Sequence, residues 1–226
     1  GSHSWEGDRL VVGGWRADNP DFPSQGSHPP KGTECPALHV VGEGPSRMFG
    51  MWLLEPGASG SFEAATMSYN AYGLNAATME VWEGPWEFDG CDVRSQGGTA
   101  IAAGKRADVA CVACGLGGLE AGERDEFGDF VGARDTMSGH EQRASYAVRQ
   151  WDVSAVRLRE CSVEFTGLAS AGVELQGAAK LSVERCEFFA NSVGVFIDDQ
   201  SVVEVANSLF VDNDMGAFYA GVGAGA

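Results

Sequence analysis

Basic side chains are scarce in this chain. Its 226 residues carry 15 Lys and Arg against 32 Asp and Glu, a net charge of −17. The only lysines are Lys31, Lys105 and Lys180. A field of that sign repels phosphate backbones and anionic lipid, which argues against nucleic acid and membrane insertion. It would repel polyanionic sugars as well unless Ca²⁺ or a local basic stripe intervened, and no such stripe is evident. Long apolar runs are missing too: no stretch of 18 apolar residues occurs, and no signal peptide is visible. The 3.6-residue apolar period of amphipathic helices is absent. Gly-x-Ser-x-Gly and EF-hand spacing are also lacking, and Cys111-Val-Ala-Cys114 has no second Cys-x-x-Cys. Nucleophile-elbow, EF-hand and zinc-ribbon chemistry therefore lack their signatures.

What the chain does have is a repeat. One pattern, apolar-x-apolar-x-x-(Cys/Ser)-x-apolar, is written five times between Trp86 and Tyr219. The copies start at Trp86, Val109, Val156, Leu181 and Val203, and place Cys91, Cys114, Cys161, Cys186 and Ser208 in one column. The column steps are 23, 47, 25 and 22, the 47 being one ordinary step plus an insertion. Self-similarity at such a period marks a solenoid or array. Within each copy apolar residues alternate, as in a strand with one buried face. The phase then slips by one residue, at Glu160-Cys161 or Arg185-Cys186, which predicts a corner between two short strands. A third apolar pair follows in each turn (Ile101/Ala103, Val173/Leu175, Val195/Ile197, Ala217/Tyr219). Gly172, Gly194, Gly216, Asn191 and Asn213 mark turns ahead of three of these pairs.

Three short strands per turn predict an all-β fold, a single-stranded right-handed parallel β-helix of about six to eight turns of 22–25 residues. Leucine-rich repeats are the other candidate, but their fixed Leu/Asn spacing is absent. The 32 glycines suit a chain that turns a corner every few residues, and 44% hydrophobic content suits a packed core. Residues 1–4 read as a purification-tag remnant. Residues 5–85 read as N-terminal strands, a Pro-rich loop and the first turns, with Phe62, Ala64 and Ser68 roughly one step before Trp86, Phe88 and Cys91. Residues 86–226 read as regular turns with a loop insertion at 120–146. The end at Gly-Ala-Gly-Ala, partway through a turn, suggests either a folded-over cap or a longer native chain, and an uncapped end invites end-to-end stacking.

Six cysteines could make three disulfides, but side chains stacked in register lack the orientation a disulfide needs. Buried free thiols acting as small hydrophobes are expected instead, in an intracellular, cytoplasmic setting.

The order Gly7-Asp8, strand, Gly13, then strand, Gly42-Glu-Gly44-Pro45-Ser46 resembles the opening of pectate-lyase-like right-handed β-helices. It is most similar to the carbohydrate-binding and sugar-hydrolase repeat type found in F-box and Shc-SH2-binding-type proteins. With the Asn191/Gly194 and Asn213/Gly216 turns and the repeats, the resemblance covers most of the chain. It implies a β-helix that serves as a binding module rather than a catalyst.

Two surfaces are candidate sites. The insertion carries Asp125, Glu126, Phe127, Asp129, Phe130, Asp135 and His140, and long loops on regular scaffolds often hold function. Its acids could take Ca²⁺, although the loop equally reads as a solvated acidic segment. The second candidate is an outward apolar patch, with Phe189 and Val211 in one column and Phe196 and Phe218 in another. Asp198, Asp199, Asp212 and Asp214 do not stack into the paired carboxylates that sugar hydrolysis needs, and read as turn residues. The expected function is a non-catalytic recognition or scaffold module for a protein or glycan partner, with no cofactor required. The alternative is a polysaccharide-active enzyme, a lyase, hydrolase or epimerase, using carboxylates of the 120–146 loop.

Overall fold

The computed structural model describes residues 3–6, 9–12, 38–42, 47–49, 52–54, 59–70, 77–118, 144–164 and 166–220. Every regular element among them is a β-strand, and no helix long and apolar enough to cross a membrane occurs there. Apart from an antiparallel hairpin of His3–Glu6 with Arg9–Val12, all pairing is parallel. Each turn of chain stacks on the one before, so the molecule is a parallel β-solenoid with three faces. His3 and Ser4, read from the sequence as tag remnant, pair with Val12 and Val11 in that hairpin.

The first face stacks Arg9–Val12, Leu38–Gly42 and Gly60–Glu63, the 86–89 and 108–112 ends of two long strands, then Ala155–Arg159, Lys180–Glu184 and Val202–Ala206. The second is a separate seven-stranded sheet running from Arg47–Phe49 to Leu209–Val211. The third includes residues 77–81 and 99–103, Ala144–Gln150, Thr166–Leu175, Val193–Ile197 and Phe218–Ala220. About four turns, residues 86–197, form the regular and fully enclosed part, fewer than the six to eight expected. Strands on either side extend the stack.

Alternation puts like side chains above like. Phe62, Phe88, Cys111, Leu158 and Val183 form one buried column, and Met79, Ile101, Val148, Val173 and Val195 another. Each such large side chain contributes roughly 1.5–3 kcal/mol by leaving water. Phe62 stacks on Phe88 at a 5.0 Å centroid distance and Phe188 on Phe210 at 4.5 Å. Phe62 therefore lies one rung before Phe88, not Trp86, whose partner is Gly60. The step there is longer than the regular repeat, so spacing read from later copies put the alignment off.

The corner between first and second faces has one recipe. A single residue with left-handed backbone breaks the strand: Ala64, Gly90, Ala113, Glu160, Arg185 and Asn207, with φ of 49° to 59°. The next residue carries the column of Cys91, Cys114, Cys161, Cys186 and Ser208. These thiols are more than space-fillers. Cys114 Sγ donates to Val112 O at 3.2 Å and to Phe88 O of the preceding turn at 3.3 Å. Cys161 Sγ donates likewise to Arg159 O and Cys111 O. Ser208 repeats the bond with its hydroxyl, donating to Ala206 O at 2.9 Å. The five cysteines among the described residues are buried and free. Cys35 lies outside those residues.

Asparagines hold the next corner. Asn191, fully buried, donates from Nδ2 to Val163 O at 2.8 Å and accepts from Thr166 Oγ1 at 3.1 Å. Asn213 repeats this one turn on, donating to Phe188 O and accepting the Asn191 N–H. At the third corner Asp152 and Asp199, both left-handed, accept the backbone N–H of Lys105 and Gly177 on the preceding turns. The Asp198 carboxylate accepts the N–H of Asp199. Asp198 thus bonds local backbone, as read from the sequence, whereas the Asp199 carboxylate reaches across to the preceding turn.

Candidate binding face

The third face is where polar, charged and aromatic groups collect on the outside of the coil. Pairing of Val81 with Ala103 and of Ala103 with Gln150 puts Trp82, Gly104 and Trp151 at successive levels of one edge. A register shift between Ala103 and Arg106 marks a bulge at Gly104-Lys105, and Lys105 takes left-handed backbone there, φ 50°. Bulges of this kind re-aim side chains. The Lys105 ammonium consequently lies 4.1 Å from the centroid of Trp82, whose Nε1–H donates to Glu80 Oε1 at 2.8 Å.

Trp151 approaches the same bulge from the other side. A Cβ built on Gly104 would fall against Cε2, Cζ2 and Nε1 of Trp151, nearly equidistant from all three. The indole thus lays its face, near the ring fusion, over the glycine backbone. Both tryptophans are half-buried. A glycine here is a requirement of close approach rather than of φ.

Beside this aromatic pair runs the outward column Glu80, Ala102, Arg149, Glu174, Phe196. Glu174 is 9% exposed, and Arg149 Nε meets its carboxylate at 2.7 Å. Gln176 Nε2 donates to the other oxygen at 3.1 Å. The Arg149 guanidinium also sits 5.4 Å from the Tyr146 ring. Burial, and then the Glu174 charge, push the Tyr146 hydroxyl above its ordinary pKa. Glu80 and Glu174 are three rungs apart with Arg149 between them. At about 4.8 Å per rung that is roughly 14 Å, beyond the roughly 5–9.5 Å at which two carboxyls share glycoside hydrolysis.

A second charged group lies on the second face. Arg94 reaches Asp92 at 2.6 Å and Glu164 at 2.7 Å, passing over the intervening turn. Gly115 makes room: a Cβ there would meet the Arg94 guanidinium at 2.6 Å and Asp92 at 2.7 Å. Burial opposes the Arg94 charge, but Asp92 and Glu164 outweigh it and raise its pKa above the ordinary value. With both carboxylates engaged, this is a clamp across three turns. At the corner between the first and second faces, Arg185 pairs with Glu160 of the preceding turn at 2.7 Å and with its neighbour Glu184 at 3.4 Å.

The sequence-derived candidates fare differently. Asp125, Glu126, Phe127, Asp129, Phe130, Asp135 and His140 lie outside the described residues. Phe189 and Val211 do share an outward column on the second face, beneath Glu164, and both are half-buried. Phe196, also half-buried, pairs with Glu174 and Tyr219. Phe218 does not join it. It pairs with the inward Val195 and packs on Phe210 at 5.0 Å, being 48% exposed in the last described rung. The turn after Asn213 has one residue more than the turn after Asn191, with Gly216 at φ 118°, and a one-residue shift moves a side chain to the opposite face.

Trp82, Trp151, Arg149 and Glu174 were not singled out as a site in the sequence. Their signal is present in retrospect, since each tryptophan directly follows a third-face strand. The insertion between the two strands hides it. Among the described residues no group of three or more His, Cys, Asp or Glu could hold a metal ion. Comparison with known protein families, with curated proteins and with solved structures found no match.

Proposed function

We propose that this chain is a non-catalytic recognition module, a right-handed solenoid of the pectate-lyase-like kind, whose third face binds a glycan. The observation that carries the reading is the pair of half-buried tryptophans flanking the Gly104-Lys105 bulge, with Glu80, Arg149 and Glu174 alongside. Indole rings supply stacking area at little entropic cost, and the neighbouring carboxylates and cations can bond hydroxyl groups. The separation of Glu80 and Glu174, and the engagement of Glu174 by Arg149, support binding over hydrolysis.

The test is affinity electrophoresis of the whole chain through gels containing β-glucan, xylan, mannan, polygalacturonate or chitin, with reducing-end release measured in parallel. Retardation in at least one gel without release is expected. Retardation in none sinks the reading, and reducing ends released at a turnover rate would convert it to the enzymatic alternative.

A further inference from the structure

Resting on the glycan reading above, we infer that Trp151 is the stacking platform of the site and that its ligand is an uncharged, extended sugar chain lying along the solenoid axis. Three observations converge. First, the indole of Trp151 is seated with one face on Gly104, so the opposite face is the one presented to a ligand. A ring laid flat on backbone has little freedom left to lose on binding, which is the condition for a preorganised contact. Second, Trp82 stands on the same edge two rungs away, and Trp151 leans back one rung toward it. Their separation is thus between about 5 and 10 Å along the stack, given rungs of about 4.8 Å. That is the length of one to two pyranose rings in an extended chain, so the two indoles address neighbouring sugars of one polymer running parallel to the axis.

Third, the local charge is nearly balanced in a strongly acidic protein. Around the two rings stand Glu80, Glu83, Asp152 and Glu174 against Lys105, Arg106 and Arg149. Arg149 is already committed to Glu174, and Lys105 to the face of Trp82. Of these three cations that leaves Arg106, in register with Glu83, and a single guanidinium beside a carboxylate is too little to hold a chain of uronates against a net charge of −17. The contact that remains is apolar: the C–H face of a pyranose on an indole, edged by hydrogen-bonding groups such as Lys105 and Asp152.

Gly104 permits a test that leaves Trp151 in the protein. Its φ lies outside the left-handed region, so Gly104→Ala suits the backbone, and the atoms nearest the added methyl are those of the seated ring. The probes are cellohexaose, xylohexaose, mannohexaose and hexagalacturonate, measured by calorimetry and tryptophan fluorescence on the wild type, W151A, W151F, G104A and R157Q. Folding of each variant is checked by its urea transition. The expected result is binding of at least one neutral hexamer, changed less than twofold between 50 and 500 mM NaCl. Loss of tenfold or more is expected in W151A and G104A, with partial recovery in W151F and no change in R157Q, which lies on the first face. Neutral hexamers bound equally by wild type, W151A and G104A would overturn the platform while leaving the glycan reading intact. Binding of hexagalacturonate alone, lost at high salt, would overturn the uncharged ligand. Failure of all four probes, together with no retardation in any polysaccharide gel, would remove both.

Discussion

Replacing Cys186 distinguishes two roles for the cysteine column. Its sulfur donates to Glu184 O at 3.3 Å and accepts the buried N–H of Cys161 at 3.4 Å. Ser208, one turn on, makes the same two bonds, to Ala206 O at 2.9 Å and from Cys186 N at 3.1 Å. If the column acts through hydrogen bonds, Cys186→Ser keeps both and Cys186→Ala loses both. Alanine then leaves the Cys161 N–H without its partner, costing about 1–3 kcal/mol, and forfeits the sulfur's packing, worth about a further 1 kcal/mol. Serine gives up only part of the packing, so its cost stays under about 1 kcal/mol. Urea unfolding followed by circular dichroism reads both, through a shifted midpoint at constant m-value. Alanine should be the worse substitution by at least about 1 kcal/mol. If the thiols were only small hydrophobes, serine would bury a hydroxyl for nothing and be the worse of the two. That order would refute the corner role.

Ala113 holds left-handed backbone at φ 52° on the exposed side of a corner, so Ala113→Gly should stabilise by up to about 1 kcal/mol and Gly90→Ala, where nothing blocks a Cβ, should cost about the same; paired thermal melts check both. Asn191→Ala removes a buried side chain together with its bonds to Val163 and Thr166, and should cost about 3 kcal/mol in urea unfolding, more than Asn213→Ala, whose site is half-buried. The Cys161 thiol is pushed up from 9.0 to about 12, first by its hydrogen bond with Cys114 and also by burial. A raised folded pKa means its contribution to stability is full below pH 9 and lost as pH climbs toward about 12, which urea midpoints at pH 8 and pH 10.5 should show as a fall that Cys161→Ser reduces. Replacing Arg94 by Met should strand Asp92 and Glu164 and destabilise by about 2 kcal/mol, against a much smaller loss for the exposed Arg157 of the Arg157–Asp108 pair.

The solenoid was legible because its physics is local and repeated. Alternation, a phase slip at Glu160 and Arg185, and a column of Cys91, Cys114, Cys161, Cys186 and Ser208 each state one turn, and five copies state it together. Where the copies keep step, the sequence alignment and the strand register agree: Cys111 does stack with Phe88, Leu158 and Val183. Where one turn gains a residue, as before Phe218, linear spacing cannot tell which side of the strand receives it, because pairing with Val195 is decided by hydrogen bonds to the preceding turn.

The amino-acid order therefore determined the parallel coil, its three faces, its buried columns and the aspartates that close its corners. Tertiary structure alone decided what the outside carries. Trp82 and Trp151 are 69 positions apart in sequence. They meet at one bulge only because stacking brings each turn back to the same edge, and because Gly104, by lacking a side chain, leaves a place for a ring that belongs to the next turn. Arg94 reaches Glu164 for the same reason, across a turn that Gly115 keeps bare. Local pattern sets which way a residue points, whereas what it meets there depends on side chains from turns far away in the chain.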